Sequence, residues 1–184
     1  MEFDLASFKK TIETDSDKLT VIIKNAHTKK ITDDVITSAV EHIVKQDPLK
    51  RISGECLQKA ACFGYIKLAK LLLDNGVPID VRDKMRNTPL INACRTHHAE
   101  VAMYLIERGA FVNARNTHGW SPLQYACMSN EKELVKRLIE HRANIHLFMK
   151  DDRKNIINKL IEKNAEQYAP MIDYLRTVKE TMKL

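Results

Sequence analysis

Three stretches of this 184-residue chain align without a gap when each is shifted by 33 residues: they begin at Gly54, Asn87 and Trp120. Under that shift Leu57, Leu90 and Leu123 coincide, as do Ala60, Ala93 and Ala126, and then Leu72, Leu105 and Leu138. Gly76 falls on Gly109, and Ile79, Val112 and Ile145 fall together. A repeat of this length is one supersecondary unit copied in tandem. It restricts the chain to stacked units that share a continuous core.

Each copy reads as two short helices. Thr88 and Ser121 are residue types that accept a hydrogen bond from a helix N-terminus, and Pro89 and Pro122 follow at the first helical position, where the missing N–H is not needed. Leu90, Ala93 and Cys94 then make an apolar stripe at helical spacing, and Val101, Ala102, Leu105 and Ile106 make a second. Gly109 stands at the left-handed position past a helix end. Arg142 occupies the same place in the third copy, where a side chain is strained if the backbone is left-handed.

These residues carry a family resemblance. Thr88-Pro89-Leu90 with Ala93, Ser121-Pro122-Leu123 with Ala126, and Gly109-Ala110 followed by Val112-Asn113 resemble the ankyrin repeat, over about 99 residues from Lys50 to Phe148. The resemblance implies an all-α solenoid of stacked helix-turn-helix units with repeats at 50–82, 83–115 and 116–148. The chain departs from the family where a His usually follows T-P-L, since Gln58, Ile91 and Gln124 stand there. The hydrogen bonds between repeats must therefore be built differently.

Both ends keep helical periodicity without the motif. In residues 1–49 the stripes are Leu19, Ile22, Ile23 and Ala26, then Val35, Ile36, Ala39, Val40, Ile43 and Val44, with Thr32, Asp33 and Asp34 as a start and Asp47-Pro48 as a stop. Phe3, Leu5, Phe8 and Ile12 either cap the solenoid or form a recognition helix. Residues 149–184 carry Ile156, Ile157, Leu160 and Ile161, then Met171, Ile172, Leu175 and Val178, with Pro170 expected near the start of the last helix. Both segments are read as atypical helical caps, the first as a degenerate repeat with a leading helix and the second as a diverged repeat.

Chemistry finds little foothold. The seven histidines are scattered, and the sequence has no H-E-x-x-H, no phosphate-binding glycine loop and no G-x-S-x-G elbow. Cys94 and His98 are four apart, but the repeat frame ends the helix near Thr96 and puts them on different elements. Cys56, Cys62, Cys94 and Cys127 form no C-x-x-C pair and read as free thiols of a reducing compartment. The expectation is a non-enzyme without cofactor or metal. With no apolar run of eighteen residues and no basic-then-apolar N-terminus, it is also expected to be cytoplasmic.

Charge points to the kind of partner. Residues 1–49 hold seven Lys/Arg against nine Asp/Glu, residues 50–148 fifteen against nine, and residues 149–184 eight against six. The positive excess sits on the repeats, which favours an acidic partner surface. Ankyrin-like arrays engage partners with turn tips and the exposed side of the first helices. Carried over by position, that implies Arg51, Ile52, Cys62 and Phe63 in the first copy, Lys84, Met85, Arg86, Asn87, Arg95 and Thr96 in the second, and Thr117, His118, Trp120, Tyr125, Met128 and Ser129 in the third. Phe63, Met85, Trp120, Tyr125 and Met128 are the apolar anchors of that strip, Arg86 and Arg95 its cations. The reading is a protein-binding module for an acidic, partly apolar segment. Two alternatives are nucleic-acid binding by Arg82, Lys84, Arg86 and Arg115, and self-assembly through the N-terminal helices; aromatic residues are too sparse for a base-stacking platform.

Overall fold

The side chain of Thr88 accepts from the Ile91 N–H at 3.3 Å and so opens a helix. At Ser121 the bond is reciprocated, Gln124 reaching back to the Ser121 N–H, in a complete capping box. With Pro89 and Pro122 at the first position, the two helices start where the sequence places them. In the computed structural model, which describes residues 23–24, 27–28, 31–46, 54–145 and 156–181, the helices are α1 (Asp33–Gln46), α2 (Gly54–Phe63), α3 (Ile66–Asp74), α4 (Pro89–Arg95), α5 (Ala99–Glu107), α6 (Pro122–Met128), α7 (Lys132–Glu140) and α8 (Ile156–Thr181). No strand occurs among the described residues.

The helices form two layers. An inner row runs α2, α4, α6 and then α8; an outer row runs α1, α3, α5 and α7, and each α2–α3, α4–α5 and α6–α7 pair closes on itself. Leu57, Leu90 and Leu123 are buried in equivalent places along the inner row, as are Leu72, Leu105 and Leu138 along the outer. Neither helix of a pair buries enough apolar surface to stand alone; the shared spine supplies it.

Backbone conformation repeats with the same period. Gly64, His97 and Asn130 join the two helices of successive copies, and all three are left-handed, at φ 76°, 62° and 58°. Past the second helix Gly76, Gly109 and Arg142 are left-handed at 79°, 85° and 65°. Arg142 thus carries the strain expected of a side chain in glycine's place. Arg142→Gly is expected to raise stability by about 0.5–1 kcal/mol, a gain of roughly 2 °C in Tm by thermal denaturation. The Asn113 amide that donates to the Arg142 carbonyl at 3.1 Å is untouched by the change. An unchanged or lower Tm would show that the Arg side chain offsets its own strain.

Both flanks keep the frame. Helix α1 opens at Asp33, 33 residues before Ile66 and so in step with the later outer-row starts Ala99 and Lys132, and packs on α3 as an outer-row helix. Ile36, Ala39 and Val40 face the core. The Asp33 carboxylate accepts from the Lys67 and Leu68 N–H groups at 2.7 and 3.1 Å. It caps α3, whose own N-cap residue Tyr65 makes no side-chain cap. Asp33 therefore serves two helices, its own first turn and the start of the next outer helix. The remaining sequence expectations here, Phe3, Leu5, Phe8, Ile12, Leu19, Ile22, Ala26, the stop at Asp47-Pro48, Arg51 and Ile52, lie outside the described residues.

At the other end α8 breaks at Asn164, whose φ of −175° and ψ of 98° are extended. Asn164 lies 33 residues after Glu131, the N-cap of α7, and its side chain accepts from the Gln167 N–H at 3.1 Å. The second segment of α8 therefore begins just past Asn164. Pro170 is not near its start but inside it, more than a turn along. The physical reason is that Asn164 supplies a better cap than anything immediately before Pro170. Tyr168 Oη and Lys163 Nζ both donate to the Met128 carbonyl, at 2.9 and 3.1 Å, which ties α8 to the end of α6.

Candidate functional site

The turn tips before α4 and α6 are stacked hairpins. In the first, the Asp83 N–H donates to the Asn87 carbonyl at 3.0 Å and the Arg86 N–H to the Asp83 carbonyl at 2.8 Å; in the second, Asn116 pairs with Trp120 and Gly119 with Asn116 in the same way. The Thr117 N–H donates to the Met85 carbonyl at 2.9 Å and welds one tip to the next. Arg86 and Gly119 are equivalent and both left-handed, at φ 59° and 80°.

This scaffold sorts the residues expected on the contact strip. Lys84, Met85, Arg86, Arg95 and His118 are exposed. Phe63, Thr96, Trp120, Tyr125 and Met128 are half-buried. Phe63 stacks on His27, the rings 4.0 Å apart and 7° from parallel, so it is tied to the N-terminal cap. Trp120 lies on the Tyr125 ring at 4.8 Å, and the Tyr125 hydroxyl accepts from Asn116 Nδ2 at 3.1 Å. The Thr96 hydroxyl is spent on the Asn92 carbonyl at 2.8 Å.

Asn87 requires a correction. Assigned to the contact face, it is only 6% exposed. Its side chain donates to Asp83 at 2.8 Å and accepts from Asn116 at 3.0 Å, linking the two tips internally. It is a structural residue because both of its side-chain bonds are made to neighbouring tip residues and leave little of it exposed.

Between the first two repeats a groove of about 670 Å³ opens on the inner face. Lys84, Met85 and Arg95 line it, together with Lys59, Cys62 and Val81, while Trp120, Tyr125 and Met128 lie one copy further on and do not. Lys59 and the floor residues Gln58 and Asn92 were missed in the sequence. Gln58 was marked only as a departure from the family's His, and Lys59 and Asn92 only by an exposed or polar position on a first helix, which many residues share. Among the described residues Lys59, Lys84 and Arg95 have no carboxylate partner. On the outer face two arginines are paired, while Lys70, Lys132 and Lys136 have no carboxylate partner among the described residues. Arg108 pairs with Asp74 at 2.9 Å, and Arg137 reaches Glu140 and Glu107 at 3.6 and 4.0 Å.

The candidate chemical pair separates as expected. Cys94 is buried near the end of α4, and His98 opens α5 on a different element. Burial pushes the Cys94 thiol far up, helped by the Glu131 carboxylate, and burial alone does the same to Cys127. Burial also lowers His98, with His27 and His97 adding to the effect against the Cys62 carbonyl. A neutral imidazole and two protonated thiols are packing groups. No cluster of three metal-ligating side chains occurs among the described residues.

A family model for ankyrin repeats, in three copies, matches residues 57–151, over half of the chain. The chain belongs to the ankyrin repeat family. Comparison with curated proteins finds no matching relative. Ankyrin repeats are protein–protein interaction modules, and the family is typically non-catalytic. Among the described residues no helix is long and apolar enough to cross a membrane.

Proposed function

We propose that this ankyrin-repeat chain is a non-catalytic adaptor, scaffold or inhibitor that holds an acidic, partly apolar segment of another protein along its turn tips and the exposed side of its first helices. The carrying observation is the set of cations that line the inner groove. Among the described residues Lys59, Lys84 and Arg95 have no carboxylate partner there, whereas Arg108 and Arg137 of the outer row do. Unpaired cations beside an exposed Met85 fit a ligand that brings carboxylates and apolar side chains together. The contact residues in this reading are Lys84, Met85, Arg86, Arg95 and His118, with Trp120, Tyr125 and Met128 offering partly open apolar surface. Stacked tips hold that surface rigid, so little is lost to ordering on binding. The chain works in the cytoplasm, where Cys56, Cys62, Cys94 and Cys127 stay reduced.

Replacing Arg86 and Arg95 together by Glu is expected to reduce capture of the partner from the native cell at least tenfold, measured by quantitative mass spectrometry. The circular dichroism spectrum should not change, since both side chains are exposed. Equal capture by the folded variant would remove this face from the reading. Capture of nucleic acid, released steeply by salt, would favour phosphate binding by Arg82, Lys84, Arg86 and Arg115 instead.

A further inference from the structure

Gln58 stands where the family pattern usually has His, and its side chain does something specific here. Gln58 Nε2 donates to the Val81 and Asn87 carbonyls at 2.7 and 2.9 Å. Gln58 Oε1 accepts from Asn92 Nδ2 at 2.6 Å, and Asn92 Oδ1 accepts from Arg95 Nη2 at 3.2 Å. The four bonds run in one direction, from the guanidinium inward to fixed backbone carbonyls. Both amides are buried and their orientation is dictated, because reversing either would set donor against donor. The last member, Arg95, is exposed and lines the groove, its Nη2 held by Asn92 Oδ1 and also donating to Cys62 Sγ at 3.8 Å.

The relay cannot recur one copy on. The equivalents of Asn92 and Arg95 there are Tyr125 and Met128, and the equivalent of Gln58 is Ile91. The inner face is therefore divided: a pre-oriented cation between the first two copies, an aromatic and thioether surface between the second and third.

We infer that Arg95 is the anchor for a ligand carboxylate, that Asn92 and Gln58 are positioning residues acting through it, and that the surface of Trp120, Tyr125 and Met128 takes an apolar side chain of the same ligand. The inference rests on the proposed function and names its partner more closely. Packed helices such as α4 and α6 lie about 8–10 Å apart, and an extended strand rises about 3.3 Å per residue. The two side chains of the partner therefore stand about three residues apart in an extended segment: an Asp or Glu, then an apolar residue at the third position along. A carboxylate fits better than a phosphate, since Glu55 and Asp83 also line the groove and oppose a doubly charged group.

The test is selection of random dodecapeptides displayed on phage against the full chain, followed by fluorescence-anisotropy titration of a synthetic peptide from the selected set. Peptides with Asp or Glu three positions from Leu, Met, Phe or Trp are expected to be enriched. Arg95→Ala should weaken the chosen peptide about tenfold or more, and Arg95→Lys nearly as much, because Lys lacks the planar fork. Asn92→Ala should weaken it several-fold in the native background and not at all in Arg95→Ala, a coupling that a merely structural role would not produce. Changing the peptide's acid to its amide should likewise have no effect once Arg95 is gone. Enriched peptides without an acid, an affinity indifferent to Arg95→Ala, or additive effects of Asn92 and Arg95 would each overturn the inference. So would a phosphoserine peptide binding tenfold tighter than its Asp counterpart, or a selection that enriches nothing. In all these cases the proposed function stands or falls separately, on the capture experiment with the Arg86 and Arg95 variant.

Discussion

Leu90→Ala is expected to destabilise the protein by about 3–5 kcal/mol, at the upper end of what removing a buried Leu side chain costs. Leu90 is fully buried in the middle of the inner row, with Leu57 before it and Leu123 after it in the same column. Truncation removes apolar contact with both neighbours at once, and the helix that carries it, Pro89–Arg95, has too few residues to shift and fill the hole. In a stacked array each repeat depends on its interfaces, so damage to a central copy uncouples the two beside it. Urea denaturation followed by circular dichroism should therefore show a lower midpoint and a shallower or biphasic transition. Phe111→Ala provides the contrast: its side chain is 54% exposed at a loop tip, and its loss should change stability by no more than about 0.5 kcal/mol. A cost near 1 kcal/mol for Leu90→Ala would mean that the copies do not share one core.

The repeat core was legible because its marks are local and chemical. A capping hydroxyl, a proline at the first helical position and a small residue one turn later constrain one short helix so tightly that their recurrence identifies the architecture. The second helix of each copy has no such marks. Its stripe of apolar residues is common to any amphipathic helix, which is why α1 read as part of a degenerate capping repeat and not as an outer-row helix opening at Asp33 in step with Ile66, Ala99 and Lys132. Asn164 was missed for a related reason: an Asn can cap, turn or face solvent, and only the geometry of the Gln167 N–H decides.

The candidate site was legible in position and less so in direction. Counting along the repeat finds the turn tips, and Lys84, Met85 and Arg95 indeed share a groove. It does not reveal which way a side chain turns. Asn87 turns inward because the Asp83 carboxylate and the Asn116 amide wait there, and both are set by the packing of one tip on the next. Nor does it show that Trp120, Tyr125 and Met128 lie a copy away from the groove, or that Trp120 and Phe63 each find a ring partner of their own.

The departure at the family's His position leads to the sharpest energetic test. Gln58 and Gln124 occupy equivalent places and both are buried, so sequence alone assigns them the same importance. The structure does not. Gln58→Leu would orphan the Val81 carbonyl and Asn92 Nδ2 inside the inter-repeat interface, and each buried unpaired group costs about 1–3 kcal/mol. Leu recovers part of this by its own burial, which leaves an expected net loss of about 2–4 kcal/mol. Gln124 makes no inter-repeat bond: it closes the capping box of its own helix, and its Nε2 has no partner. Gln124→Leu surrenders the bond from Ser121 N–H but removes an unpaired buried donor, so its net cost should be about 1 kcal/mol or less. The two variants, unfolded in urea under the same conditions, should thus differ by at least about 1 kcal/mol. Equal losses would show that the chain of amides between the first two repeats contributes no more than an ordinary cap, and the pre-orientation of Arg95 would lose its physical basis.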